Sequence, residues 1–596
     1  MKRFLVGALA WVGGLTVLFV GALLALAFIA ASHTPGVPEA VVLEWEVEGP
    51  LEEHVPEDSL AGALGPEATT VRDVVDALEQ AGRDARVKGL VARLSGTPGT
   101  PAVVQELRDA VKAFRATGKK AVAHADSFGE GSGATGTYYL ASAFDEVYVQ
   151  PSGDVSLLGL STELMFVRGA LEKLGVKVNM GKRHEFKSAA EMYTEEAATA
   201  ANREATERML TSLFGQVVRG VAEGRGLSED AVRAAIDRAP LLAPEALEAR
   251  LVDGLLYRDE VYAKVQAAAG EGARLLYLHK YLERAGRPHT EGPTVALVYG
   301  VGPIVRGKSR GNPMTGESTL GGDSVAAALR RAVEDAKVKA IVFRVDSPGG
   351  SYVASDTVRR EVQRAREKGK PVIVSMSGYA ASGGYFVSMD ADKIVAQPAT
   401  VTGSIGVYSG KMVTAGLWEK LGVNFQPMGV GRNATMYSTD EDFTPEQRAK
   451  NDAFLDRIYA DFTAKAAAGR KQPLERLEPH ARGRVWTGED ALAHGLVDVL
   501  GGFPKALELA REAAKLPEQV HVELYPRKKG AAEVLAELLG ERPGDNSEEE
   551  GASTRLESPL APVFEQTRAL HRLGTRLGLV PERREILSAP INEPTW

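Results

Sequence analysis

Two short stretches carry side chains able to do covalent chemistry. "EFKSAAE", residues 185–191, sets Lys187 in a mildly apolar neighbourhood. "GYAASGGYF", residues 378–386, places Ser382 where a helix should begin, directly before Gly383 and Gly384. A serine at such a point is most often an N-cap that satisfies its own helix. It is also where a nucleophile would gain from the positive end of the helix, with two glycines leaving room for a substrate backbone. A lysine chosen at random is a solvated surface amine, whereas a lysine that serves as a base must be neutral. Its ordinary pKa of about 10.4 then has to fall toward roughly 7–8, through burial and positive surroundings. A third stretch, "RVDSPGGS" at 344–351, leaves a strand through Pro348 and paired glycines. Its Gly349 and Gly350 N–H groups would face outward and suit a developing oxyanion, although an ordinary tight turn reads the same way.

The elements that must position these groups alternate. "VALVYG" (295–300), "KAIVFRV" (339–345), "PVIVSMS" (371–377) and "KIVAQ" (393–397) read as strands, and the stretches 323–336 and 355–369 between them show helical apolar spacing. "GLVARLS" (89–95), "KKAVAHAD" (119–126) and "EVYVQ" (146–150) repeat the pattern earlier in the chain. Near-continuous apolar strands alternating with helices predict an α/β fold with parallel sheets covered by helices.

The repetition has a register. "EKLGV" occurs at 172–176 and again at 419–423, an offset of 247 residues that also pairs Gly136 with Gly383 and Tyr138 with Tyr385. Two tandem copies of one domain are therefore expected, at 38–268 and 294–528, with a linker at 269–293 that ends in the polar "ERAGRPHTEGP" (283–293). The same offset sets Ser382 opposite Thr135, Lys187 opposite Ala434 and Ser404 opposite Leu157. Each copy keeps one half of a serine and lysine pair, which predicts one composite site per chain.

Ahead of the first copy, residues 4–32 are uncharged and long enough to cross a bilayer, behind Lys2 and Arg3. Residues 1–34 are expected to be a single transmembrane anchor rather than a cleaved signal peptide, with the domains on the outer, periplasmic side of a bacterial inner membrane. Residues 529–596 contain an acidic, turn-rich run at 540–559 and are expected to form a mobile tail with one short helix near 563–577. The net charge of −8 carries no nucleic-acid footprint, and the absence of cysteine removes thiolate nucleophiles and disulfides. No HExxH pair and no Walker loop occur, so no metal and no cofactor are expected. Asp390 and Asp392, beyond the helix that follows Ser382, read as solvated.

"SGYAASGGYF", "SPGG", "TGSIGV" (402–407), "RVWTGEDALAHGLVD" (484–498) and "FKSAAE", behind an N-terminal anchor, closely resemble the bacterial signal peptide peptidase SppA family of the long, duplicated type, also called protease IV. The resemblance spans most of residues 40–525. It implies a serine-lysine peptidase built from two Clp protease/crotonase-like domains. Ser382 would be the nucleophile, Lys187 the general base, and Ser404 a hydroxyl that orients the lysine. Gly350 and the Ser382 backbone N–H would form the oxyanion hole, and Ser347, Pro348, Gly349, Gly350 and Gly383 would contact the substrate. The implied substrates are cleaved signal peptides and other hydrophobic peptides, and the implied assembly is a homotetrameric ring. Two other classes share the fold: a catalytically inactive membrane scaffold and a crotonase-like acyl-CoA enzyme.

Overall fold

The structure, a computed structural model, describes residues 36–55, 69–311, 318–526 and 587–588. The expected anchor at 1–34 and the expected helix near 563–577 lie outside them. Among the described residues no helix is long and apolar enough to cross a membrane.

Two parallel sheets organise the chain. The first runs in the order Gly254–Leu255, Glu146–Val149, Lys120–Ala125, Val87–Leu94, Val41–Val47, Arg274–Tyr277. The second repeats this order with Val499–Leu500, Lys393–Ala396, Val372–Ala381, Val338–Ser347, Thr294–Val301 and His521–Tyr525, all parallel. It adds Val401–Gly403 beside Val372–Ala381, edged by the antiparallel Val485–Thr487.

The strands are apolar on both faces because both faces are covered. In the first sheet Leu43 and Trp45 join the core formed with the Val71–Arg83 and Pro101–Ala116 helices, while Val42 points to Val261 and Val265 of the Arg258–Ala269 helix. In the second, Ala296 and Val298 face one cluster and Val295 and Leu297 the other, where Phe503, Ala506 and Leu507 pack. This is the period of two that a strand imposes.

The stretch expected to be a linker is structured. Arg274–Tyr277 pairs with Val41–Val47, Leu278–Ala285 is a helix, and Arg287 holds Asp76 at 2.7 Å while His289 holds Glu79 at 2.9 Å. Polar composition there reflects an Arg287 ion pair and a His289 contact to the first copy, not a free connection.

The copies interlock. Lys177–Lys182 of the first pairs antiparallel with Tyr408–Val413 of the second over six residue pairs. Beneath the "SPGG" turn, the fully buried Arg344 of the second copy binds Glu53 at 2.6 Å and Glu106 at 2.7 Å, both from the first. Removing Arg344 would leave two buried carboxylates without their counter-charge, so the contact fixes how the two sheets meet.

Candidate active site

The Val372–Ala381 strand ends at Ser382, which takes φ 55° and ψ −112° before the Gly383–Ser388 helix begins. A non-glycine residue there costs on the order of 1–3 kcal/mol, and such strain persists only where the surroundings enforce it. They do so by packing. A Cβ on Gly383 would stand 2.9 Å from Ser355 Oγ and 3.0 Å from the Gly350 nitrogen, and one on Gly384 would stand 2.4 Å from the Ser347 carbonyl oxygen. The glycine pair thus lets the helix start press against the "SPGG" turn. The Ser382 side chain makes no capping hydrogen bond to its own helix, so the N-cap reading of this serine does not hold.

Its partner comes from the other copy of the same chain. The pairing of Lys177–Lys182 with Tyr408–Val413 continues as Arg183 N–H donates to the Val407 carbonyl at 3.0 Å, carrying the chain inward to Lys187. Lys187 is fully buried, with Nζ 2.8 Å from Ser382 Oγ, 3.0 Å from Ser404 Oγ and 3.1 Å from the Ser404 carbonyl oxygen. Burial alone pushes this amine well below the usual lysine range. A neutral amine can donate its N–H groups to the two Ser404 oxygens and turn its lone pair to the Ser382 hydroxyl.

Ser404 is itself held at φ 50°, its N–H donating to the Arg484 carbonyl at 2.7 Å. The Arg482–Arg484 turn then closes over the lysine. Gly483 has φ +83°, and a Cβ there would lie 2.5 to 2.7 Å from Lys187 N, Cα and Cβ. Arg484 stacks over Phe186 and Trp486, and Arg482 pairs with Glu185 at 3.0 Å. On the other side Glu191 is buried, accepting from Lys182 Nζ at 2.7 Å and Asn202 Nδ2 at 3.0 Å. Gly483, Arg484 and Glu191 were not among the expected site residues. Glu191 closes the "EFKSAAE" stretch and Arg484 opens "RVWTGEDALAHGLVD", so both lay within stretches that carried the resemblance.

Three expectations are corrected. The Ser382 N–H donates to the Gly403 carbonyl at 2.8 Å, because the turn at φ 55° aims it into the sheet, so it does not line an oxyanion hole. The Gly349 N–H is taken by Ser347 Oγ at 3.2 Å, and that hydroxyl donates to the Gly302 carbonyl at 2.7 Å, so Ser347 braces the turn from inside rather than meeting substrate. Asp390 is buried against Arg359 at 2.7 Å, while Asp392 is exposed. Ser351 N–H donates to Ile304, so the alternate Gly350 N–H faces away from that strand, toward the Gly383 side. Pro348 lies half-buried at the turn. Among the described residues no group of three or more His, Asp or Glu is arranged to hold a metal ion.

The profile of the family described as "Peptidase family S49" matches residues 113–271 and 364–517. Protease 4 of Salmonella typhi is 34% identical over 467 residues, covering 76% of this chain and 73% of that protein. Protease 4 of Haemophilus influenzae is 32% identical over 518 residues, covering 81% and 82%. The chloroplastic serine protease SPPA of Arabidopsis thaliana is 31% identical over 446 residues, covering 74% and 65%.

Proposed function

Because the chain belongs to peptidase family S49 and is a serine peptidase, we propose that it cleaves peptides by a Ser382-Lys187 dyad assembled from its two copies. The observation that carries this reading is the 2.8 Å contact between an enclosed, charge-depleted amine and an uncapped, strained serine. Ser382 Oγ attacks the scissile carbonyl as its proton passes to Lys187 Nζ, and the new ammonium then protonates the leaving amine. Water, deprotonated by the same amine, releases the acyl group from Ser382. Ser404 keeps the lone pair of Lys187 on line by accepting its other N–H groups. The developing oxyanion meets the Gly350 N–H and, in place of the Ser382 N–H, that of Gly383, the first residue of the helix.

The substrate class in this reading is the extended hydrophobic peptide, cleaved signal peptides above all, bound by adding a strand beside the "SPGG" turn. The Clp/crotonase kinship of each copy, the anchor at residues 4–32 and the periplasmic placement belong to the same proposal. So does a ring of four chains, which would cover the exposed Leu421, Phe425, Met428 and Val430. The test is hydrolysis of an apolar fluorogenic peptide by the detergent-solubilised full chain. Ser382→Ala and Lys187→Ala are each expected to lose at least about 10⁴-fold in kcat. A Lys187→Ala protein that keeps its turnover sinks the dyad.

A further inference from the structure

The Gly349–Gly350 strand has two edges. On one, Gly350 pairs in parallel with Ile304, so close that a Cβ would stand 2.2 Å from the Ile304 carbonyl oxygen. On the other lies a strand from the far end of the chain. Leu587–Ser588 runs antiparallel there, Ser588 opposite Gly349 and Leu587 opposite Gly350. Without it, Gly349–Gly350 would be the open edge of its small sheet, beside Ser382.

We propose that the chain's own carboxy-terminal segment around Leu587–Ser588 is a tethered competitor that occupies the peptide cleft. The inference rests on the Ser382 reading only in placing the substrate strand on this edge. The backbone of the tail makes the addition that a bound peptide would make, and a two-glycine strand offers no side chains to oppose it. The sequence of the segment suits the proposed substrate class. Residues 586–592, "ILSAPIN", are uncharged, with two apolar residues followed by two small ones, in a tail that is otherwise acidic around 548–550. The 60 residues from 527 to 586 give ample contour to reach from Pro526 to the cleft. Joined to its site in this way, the segment competes at an effective concentration on the order of millimolar, set by the tether and not by the solution.

The experiment uses the full chain carrying Leu587→Pro, which removes a backbone N–H from the added strand. The expected result is a KM for the apolar fluorogenic peptide lower by about 10-fold with kcat unchanged. A synthetic peptide of residues 583–596 added to this variant should raise KM again, competitively. An unchanged KM, or a synthetic peptide that fails to compete, overturns the proposal. So does intact mass spectrometry of the parent showing cleavage next to Ser588, since the segment would then be a substrate and not a resident competitor. Binding of the labelled 583–596 peptide to the Ser382→Ala, Leu587→Pro chain, read by fluorescence anisotropy, is expected and needs no turnover. Failure of the dyad reading would leave that binding intact, whereas failure of the tail proposal would abolish it.

Discussion

Tyr138 in the first copy donates its hydroxyl to the Leu251 carbonyl at 2.6 Å, and Tyr385 in the second donates to Leu496 at 3.1 Å. Asp253 accepts from the Val147 N–H at 2.7 Å, and Asp498 from the Ile394 N–H at 2.8 Å. These joints are the same in both copies, and the difference lies in one corner. Ser382 and Ser404 sit at φ 55° and φ 50°, whereas Thr135 and Leu157, which stand opposite them, have ordinary backbone. Thr135 donates its hydroxyl to the Gly159 carbonyl, and Leu157 is part of the apolar core. Of these two equivalent corners, the one with strained serines is the one that receives the buried Lys187. A fold that needed these features for its own stability would carry them twice.

Lys187→Met should break the comparison most severely, by giving the second corner the apolar filling of the first. Turnover of the apolar peptide is expected to fall at least about 10⁴-fold, while stability to denaturant near neutral pH rises by about 1–2 kcal/mol, as when a functional strain is relieved. The sign follows from linkage. The folded protein holds Lys187 well below the usual range, so between that depressed pKa and about 10.4 the unfolded chain binds one more proton. Stability of the parent must then increase with pH across that window, and Lys187→Met should lose this increment. Denaturation midpoints from pH 7 to 10 check both statements, and parallel pH profiles for parent and variant would refute them.

Two smaller changes test how tightly the corner is held. Gly483→Ala puts a methyl where Lys187 backbone already stands, so the lysine must shift and kcat should drop by about 10²-fold. Gly226→Ala is the control, a positive-φ glycine with open space around its Cβ direction, and should leave kcat unchanged. Ser404→Ala removes one acceptor from Lys187 and is expected to cost about 10-fold in kcat, the worth of one hydrogen bond. Because that acceptor favours the charged amine, its loss should also move the acid limb of the kcat profile to lower pH. A limb that stays in place would mean that Ser404 does not touch the titrating group.

The strand runs from 295 to 397 were legible because buried parallel strands are nearly all apolar, and the offset of 247 residues was legible because "EKLGV" survives in both copies. Lys187 and Ser382 were legible as half-pairs whose counterparts had changed. The Ser382 N–H was misread because a sequence does not display φ, and φ 55° turns that donor toward Gly403. The stretch 269–293 was misread because Arg287 and His289 look like part of any solvated linker until Asp76 and Glu79 face them. Gly483 carries no chemical signal at all, since its importance is the space taken by a lysine nearly 300 positions away, at residue 187. The Leu587–Ser588 strand is too short for any periodicity to announce it.

Apart from the Gly226→Ala control, the smallest effect on activity is expected where the first copy is pushed back toward the second. Leu157→Ser places a hydroxyl opposite Ser404, and Thr135→Ser restores a serine opposite Ser382, yet Ala434 stands opposite Lys187 and supplies no amine to either copy. The double variant should therefore hydrolyse the apolar peptide within about 2-fold of the parent, because surface and scaffold changes remote from the reacting groups leave kcat/KM nearly untouched. Its cost falls on stability. Leu157 is fully enclosed in the first core, and trading it for a hydroxyl without an assigned partner should lower the unfolding free energy of the chain by about 2–5 kcal/mol. Urea titration separates this loss from the unchanged turnover. A large fall in kcat with little change in stability would show instead that the first copy takes part in the chemistry beyond lending Lys187, and the asymmetry between the copies would have to be read again.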